Sequence, residues 1–397
     1  MSLRKYVTLR LPARKSTGGL WSSKAMSEEN VGIDISHEFT IETAELSERE
    51  AESLSRDPNI ASSAPVMGFT LHQPFVCAED ASTSTVPWGV KASGATTSPY
   101  DGRGTTVAIL DTGIDKTHEA FAGMNILEKD FTGEGNGDNN GHGTHCAGTV
   151  FGQKVGASRI GIAPGVSRVV IGKVLNAKGH GATDSVLEGL DWALKEKAQI
   201  ISMSLGIDFP GLVDQLRESG IPSKSATSMG LEAYRANLSL FEAFVNLMRR
   251  REATFQPTII VAATGNESER PKYTVSVSPP AAVENILSVN ALEDSPTGLK
   301  VATFSNTNGV LSAPGVEIIS ASRGGGLRSL SGTSMAAPHV AGAAALWLDR
   351  FLRLQKGYNA ITLMAKVIGS CTFKSLEKGF NTKDVGAGLV QAPQDED

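Results

Sequence analysis

Between residues 105 and 289 one pattern recurs and limits the folds open to this chain. Short, nearly continuous apolar runs rich in β-branched residues occur at Thr105–Leu110, Val169–Val174, Ile200–Leu205, Thr258–Ala263 and Ile286–Val289. Helical patterns separate them at about 142–151, 183–197 and 231–251. A strand that is apolar on both faces needs cover on both faces, and an intervening helix returns the chain so that the next strand runs parallel. The predicted fold class is therefore α/β, a doubly wound, mostly parallel sheet with helices on both faces. In such sheets ligands bind beyond the carboxyl ends of the strands, and the chemistry is sought there.

Ahead of this region the chain has a different character. Residues 1–80 hold eight Lys/Arg against twelve Asp/Glu, whereas the remainder is nearly balanced at 29 against 30. Only four of the 42 glycines fall in the first eighty residues. The change divides the chain into an N-terminal unit, 1–80, and a larger domain, 81–397. Within the first unit, residues 5–11 read as a strand, and 31–42 as one or two strands with Val31, Ile33, Ile35 and then Phe39 and Ile41. Ser47-Glu-Arg-Glu50 is a capping box opening a helix that ends before Asp57-Pro58. Residues 59–72 are extended, which completes a small α/β sandwich, and 77–86 reads as a linker.

Composition narrows the function classes. With 40% hydrophobic and 20% charged residues the chain is an ordinary globular protein, not a disordered one. No apolar run reaches eighteen residues, so no membrane-spanning helix is predicted. A pI near 5.9 argues against electrostatic nucleic-acid binding. Cys77, Cys146 and Cys371 are too few and too scattered for a disulfide framework and read as free thiols. Arg4, Lys5, Arg10, Arg14 and Lys15 are not followed by an apolar stretch, so no Sec signal peptide is expected. The expectation is a cytoplasmic protein, or one exported by another route.

Three segments carry chemistry. Asp111-Thr-Gly113 follows the first buried run, where an open sheet presents catalytic groups. On its own it reads equally as a turn or as an aspartic-protease signature. Asn140-Gly-His142-Gly-Thr-His145-Cys146 puts a histidine between glycines at the start of a small-residue helix. The His142/His145 spacing would allow a metal, but no Glu lies between them and Cys146 faces elsewhere, so no metal site is assigned. Gly332-Thr-Ser334-Met-Ala-Ala-Pro338-His sets a serine at a helix mouth, with Pro338 read in the first turn.

Taken together and in this order, the Asp111, His142 and Ser334 segments resemble those of the subtilisin-like serine proteases. Further matches occur at Val86-Pro-Trp-Gly-Val90, Met203-Ser-Leu-Gly206, Val261-Ala-Ala-Thr-Gly-Asn266, Ser312-Ala-Pro-Gly315 and Gly386-Ala-Gly-Leu-Val390. The resemblance implies a serine endopeptidase in which Ser334 is the nucleophile, His142 its base and Asp111 the group orienting the imidazole. It implies an oxyanion site made by the Asn266 side chain and the Ser334 N–H. Ser204, Leu205 and Gly206 would pair with an extended protein or peptide substrate, and with Thr264, Gly265 and Asn266 would wall the primary pocket. The N-terminal unit resembles the family's inhibitory propeptide, with cleavage expected near 71–82 and residues 66–75 lying in the cleft. No cofactor is implied for the chemistry. The family's usual calcium site is incomplete, since Ala120 stands where an Asp is common and Gly152–Gly156 lacks the usual Asn. Residues 208–228 read as an inserted loop before a helix over 231–251 whose Leu231, Tyr234, Leu238, Phe241, Val245 and Met248 share a face. Arg270 and Lys272 read as surface residues, and an apolar or aromatic lean is expected in the primary pocket. Cys146 is expected beside the triad as an inert thiol. A catalytically inactive binding module and an aspartic protease using Asp111 are the competing readings.

Overall fold

The computed structural model describes residues 3–12, 39–78, 86–252 and 256–395. Val31, Ile33, Ile35 and most of the predicted linker lie outside them. The buried runs form one eight-stranded sheet. Its path runs from Lys300–Val301 through Ile286–Glu293, Ile259–Ala263, Ile200–Met203, Thr106–Asp111 and Arg168–Lys173 to Asn125–Asp130, and Leu311–Pro314 also pairs with Ile286–Glu293. All pairings are parallel except that of the two-residue strand Lys300–Val301. Thr106–Asp111 lies inside the sheet, between strands that follow it in sequence, so its carboxyl end opens at a topological switch point.

The helix Thr333–Arg353 lies across one face of this sheet and is buried without interruption from Thr333 to Leu346. Its Ala- and Gly-rich sequence lets the backbone approach the strands closely. Pro338 lies in its second turn, not its first as the sequence suggested, because the helix begins at Thr333.

The N-terminal unit is a three-stranded antiparallel sheet ordered Thr40–Leu46, Arg4–Arg10, Ile60–Pro65, with the helix Glu48–Leu54. The capping box forms as expected, with the Ser47 hydroxyl and the Glu50 carboxylate each reaching the other's backbone N–H. Beyond Pro65 the chain leaves this sheet. Gly68–Leu71 becomes the middle strand between His180–Ala182 and Leu205–Ile207, and Phe75–Ala78 pairs with Leu327–Ser331.

The segment 208–228 is not a loop. It forms the helix Phe209–Glu218 and the first turns of a 28-residue helix, Ser223–Arg250. Its Pro and Gly residues mark helix ends: Pro210 sits in the first turn, Gly220 turns with φ of 87°, and Pro222 precedes the second helix. Of the predicted stripe, Phe241, Val245 and Met248 are buried, but Leu231 is 51% exposed. Among the described residues no helix is long and apolar enough to cross a membrane.

Candidate active site

Asp111 is the last residue of its strand and is buried. The chain turns there, and Thr112 N–H donates to Asp111 Oδ1 at 2.8 Å. The helix His142–Phe151 starts directly opposite, and His142 Nδ1 lies 2.8 Å from the same carboxylate oxygen. The approach requires glycine: a Cβ on Gly143 would sit 2.2 Å from the Gly113 carbonyl oxygen. Asp138 fixes the two segments together. It accepts from the Thr112 hydroxyl at 2.9 Å, from Gly141 N–H at 2.7 Å and from both polar groups of Thr144. Burial works to raise its carboxyl, but the bonds from Thr144, Gly141 and Thr112 outweigh that and hold it below the usual range.

Ser334 is the second residue of its helix, so its N–H has no acceptor within the helix. Pro338 has a local consequence here. It has no N–H to give to the Ser334 carbonyl four residues back. That oxygen instead accepts from the Ser204 hydroxyl at 3.3 Å and the Cys146 thiol at 3.4 Å. The missing helix bond therefore ties the serine helix to the ends of two other elements.

Asn266 follows the strand Ile259–Ala263 and its amide orientation is fixed from one side. Oδ1 accepts from Thr333 N–H at 2.8 Å and from the Thr333 hydroxyl at 2.9 Å. That leaves Nδ2 aimed at the segment crossing the site, 3.3 Å from the His72 carbonyl oxygen and 3.0 Å from that of Gln73. The Ser334 hydroxyl also donates to the His72 carbonyl, at 3.3 Å.

The segment is held on both sides as a strand. Leu205, Gly206 and Ile207 pair with Leu71, Thr70 and Phe69. His180, Gly181 and Ala182 pair with Thr70, Phe69 and Gly68. Leu205 and Gly206 are thus on the strand-binding edge, whereas Ser204 bonds the serine helix. Thr264 turns its hydroxyl to the Val289 carbonyl at 3.1 Å, and Gly265 N–H donates to the Thr333 hydroxyl at 3.1 Å, so both shape the loop that carries Asn266. A cavity of about 430 Å³ opens beside His72, between the 206–210 turn, the helix Ser223–Arg250 and the loop after Asn266. The sequence reading overlooked His180–Ala182, Ile207, Asp138 and Glu267. A glycine on each side of His180 was the one local signal for the second edge.

Cys146 Sγ lies 3.7 Å from His142 Nδ1. Burial, then the Asp111 charge, pushes its thiol well above the ordinary value, which makes it a neutral neighbour of the imidazole. Asp111, His142 and Cys146 bring three donor atoms within 4.8 Å of one another. His145 points elsewhere, with Nε2 on the Ile318 carbonyl at 3.0 Å, so the two histidines are not a shared metal site. Ala120 offers no side-chain oxygen, and its carbonyl accepts from Gln153 N–H at 2.9 Å. Arg270 bonds Asp384 at 2.7 Å and Lys272 pairs with Glu269; neither lines the cavity.

A family model described as the subtilase family matches residues 102–370. The chain is 30% identical to a thermostable alkaline protease of Halalkalibacterium halodurans over 82% of its length and 77% of that protein. It is 33% identical to alkaline elastase YaB of a Bacillus strain over 92% of its length and 82% of the relative. It is 34% identical to an intracellular serine protease of Paenibacillus polymyxa over 62% and 67%. Asp111 paired with His142 at the carboxyl end of a parallel strand, and Ser334 at the start of the helix on that sheet, agree with that match over most of the catalytic part, and the chain belongs to the subtilase family of serine endopeptidases.

Proposed function

We propose that Asp111, His142 and Ser334 act as a catalytic triad and that the first bond they cut is the chain's own His72–Gln73. The observation that carries this is the His72 carbonyl oxygen, 3.3 Å from both the Ser334 hydroxyl and Asn266 Nδ2, in a segment strand-paired on both sides of the site. That bond lies inside the 71–82 window read from the sequence.

Each group has a defined task. His142 takes the Ser334 proton as Oγ bonds to the His72 carbonyl carbon. Asp111, on Nδ1, holds the tautomer and stabilises the imidazolium. The negative charge on the carbonyl oxygen meets Asn266 Nδ2 and the free N–H of Ser334. His142 then gives its proton to the Gln73 nitrogen as the C–N bond breaks, leaving an ester between Ser334 and His72. Water, deprotonated by His142, hydrolyses that ester and regenerates the serine. The released His72 carboxylate remains on a strand held by two neighbours, so the N-terminal unit acts as an inhibitor until it dissociates. Other proteins and peptides then bind as extended strands on the same edges.

The test is to follow the mass of the purified chain while labelling it with a fluorophosphonate. The expected result is loss of residues 1–72 and labelling of the remainder, with Ser334→Ala staying intact and unlabelled. An intact, unlabelled wild-type chain identifies an inactive binding module. Proteolysis that survives Ser334→Ala and stops with pepstatin identifies aspartic chemistry through Asp111. Either result overturns the proposal.

A further inference from the structure

The segment that crosses the site is gripped beyond the end of its regular strand pairing. On one side Asp208, the residue that caps the helix Phe209–Glu218, donates its N–H to the Gly68 carbonyl at 3.1 Å. On the other side Thr183 N–H donates to the Met67 carbonyl at 3.1 Å, and the Thr183 hydroxyl accepts from Met67 N–H at 3.0 Å. That hydroxyl donates in turn to Asn237 Oδ1 at 2.7 Å. Asn237 is wholly buried in the helix Ser223–Arg250 and sends Nδ2 to the Pro65 carbonyl at 2.9 Å. The backbone is therefore held as far back as Pro65, the eighth residue before the His72–Gln73 bond.

Side chains alternate along an extended segment, so Leu71, Phe69 and Met67 share one face. All three are buried, and Met67, the sixth residue before the bond, is 1% exposed. Met67 borders a cavity of about 270 Å³. Its walls from the catalytic part are Leu212 and Leu216 of the helix Phe209–Glu218 and Met229 and Ala233 of the helix Ser223–Arg250. Each pair is four residues apart, which turns both members to the same side of their helix. Among the described residues no charged group of the catalytic part lines this cavity; its Arg4 and Lys5 belong to the N-terminal unit. The helix Phe209–Glu218 buries none of its residues completely, so the apolar face it turns to the cavity is one that the departing unit uncovers.

We propose that the inserted helices, with Thr183 and Asn237, form a remote subsite that selects peptide and protein substrates carrying Met, Leu or Phe as the sixth residue before the cleaved bond. This rests on the reading of Ser334 as nucleophile and of His72 as the residue before the bond. The N-terminal unit fills the subsite in cis, and a substrate takes its place after release. The bonds from Asp208, Thr183 and Asn237 fix the register of the backbone. The walls supply the preference, because a long apolar side chain leaves water there and a short polar one gains nothing by doing so.

The experiment uses the processed enzyme and peptides with eight residues before the cut, identical except for Met or Ser at the sixth. The ratio of kcat/KM should favour Met about tenfold. Moving the Met to the seventh position, on the opposite face, should return the rate to that of the Ser peptide. Leu216→Ser should reduce the ratio to about threefold, and the ratio is taken within one variant, so any loss of folded protein cancels. A ratio near one in the wild-type enzyme, an equal preference for Met at the seventh position, or a ratio that Leu216→Ser leaves unchanged overturns the proposal. A chain that stays intact and cuts neither peptide, or hydrolysis that persists in Ser334→Ala, overturns the nucleophile reading, and it is told from failure of the subsite by the absolute rate.

Discussion

The N-terminal unit and the catalytic part are ordered by different means. In the catalytic part a helix buried from Thr333 to Leu346 lies on a sheet whose central strands are buried, and each supplies the other's cover. In the N-terminal unit the helix Glu48–Leu54 buries no residue, and Thr40–Leu46 is mostly exposed. Its buried Val7, Leu9, Phe39 and Ala64 join a cluster whose other members include Leu187, Leu190, Phe241 and Phe244 of the catalytic part. Phe39 meets Phe244 at 5.4 Å, Arg251 lies over the Phe39 ring at 4.2 Å, and Asn237 Nδ2 donates to the Pro65 carbonyl at 2.9 Å. Among the described residues, the core of the first unit is thus completed by its neighbour. A small module of this kind keeps its order while docked and has little to retain it once released. That is in keeping with the proposed role of the unit as an inhibitor released after one cut.

The largest effect expected on either side of this comparison comes from Asn266→Ala. It removes a donor to the developing oxyanion, together with its contacts to the His72 and Gln73 carbonyls, and leaves the strand edges that hold the segment Gly68–Leu71 in place. Turnover of a peptide should fall about 10²- to 10³-fold, with KM nearly unchanged. Processing of the chain itself should slow by a similar factor while the unit stays docked. Stopped-flow and steady-state assays on peptides, with mass analysis of the chain, check this. A kcat within threefold of wild type would remove Asn266 from the oxyanion site.

The second effect separates the shared core from the exposed helix. Phe39→Ala should weaken inhibition of the processed enzyme by added residues 1–72 about 30-fold, since a buried aromatic at the centre of an interface is worth about 2 kcal/mol. Glu48→Ala, on the helix that buries nothing, should change it by about twofold or less. Inhibition constants measured in trans decide the matter. Equal effects would mean that the unit brings a core of its own.

The same contrast explains what the sequence disclosed. The strand runs and the Asp111, His142, Asn266 and Ser334 segments were legible because their geometry is written locally, in glycines and small residues next to each functional group. Glu267 was not, although it adjoins Asn266, because its place at the site depends on Asn306 and His72, 39 and 195 positions away in the chain. The strand His180–Ala182 acquires meaning only when Gly68–Leu71 arrives beside it. The error over 208–228 has a simpler source: Pro210, Gly220 and Pro222 stand at helix ends, and only the fold shows them there. Pro338 was misplaced by one turn, and with that the reason for the Ser334 carbonyl bonding Ser204 and Cys146 was missed.

A further prediction concerns acid and belongs to the catalytic part alone. Burial lowers His145 to about 3 and His339 to about 4, from 6.5 in an unfolded chain. Between pH 6.5 and 4 the unfolded chain takes up protons at both positions and the native chain does not. Stability therefore falls as pH falls through that window, by up to about 1.4 kcal/mol per pH unit for each histidine. The carboxyls held low, Glu267 and Asp138, add to the loss only below their unfolded values of 4.5 and 3.8. The interval from 6.5 to 4.5 is thus where the histidines are read without them. Thermal unfolding of the Ser334→Ala chain, which avoids self-digestion, should show a Tm that declines across this interval. His339→Gln should flatten the decline even if it lowers the Tm throughout, because it removes the titration and not only a contact. An unchanged slope in that variant would mean that His339 takes up its proton in the folded protein, and that this region of the core admits a charge.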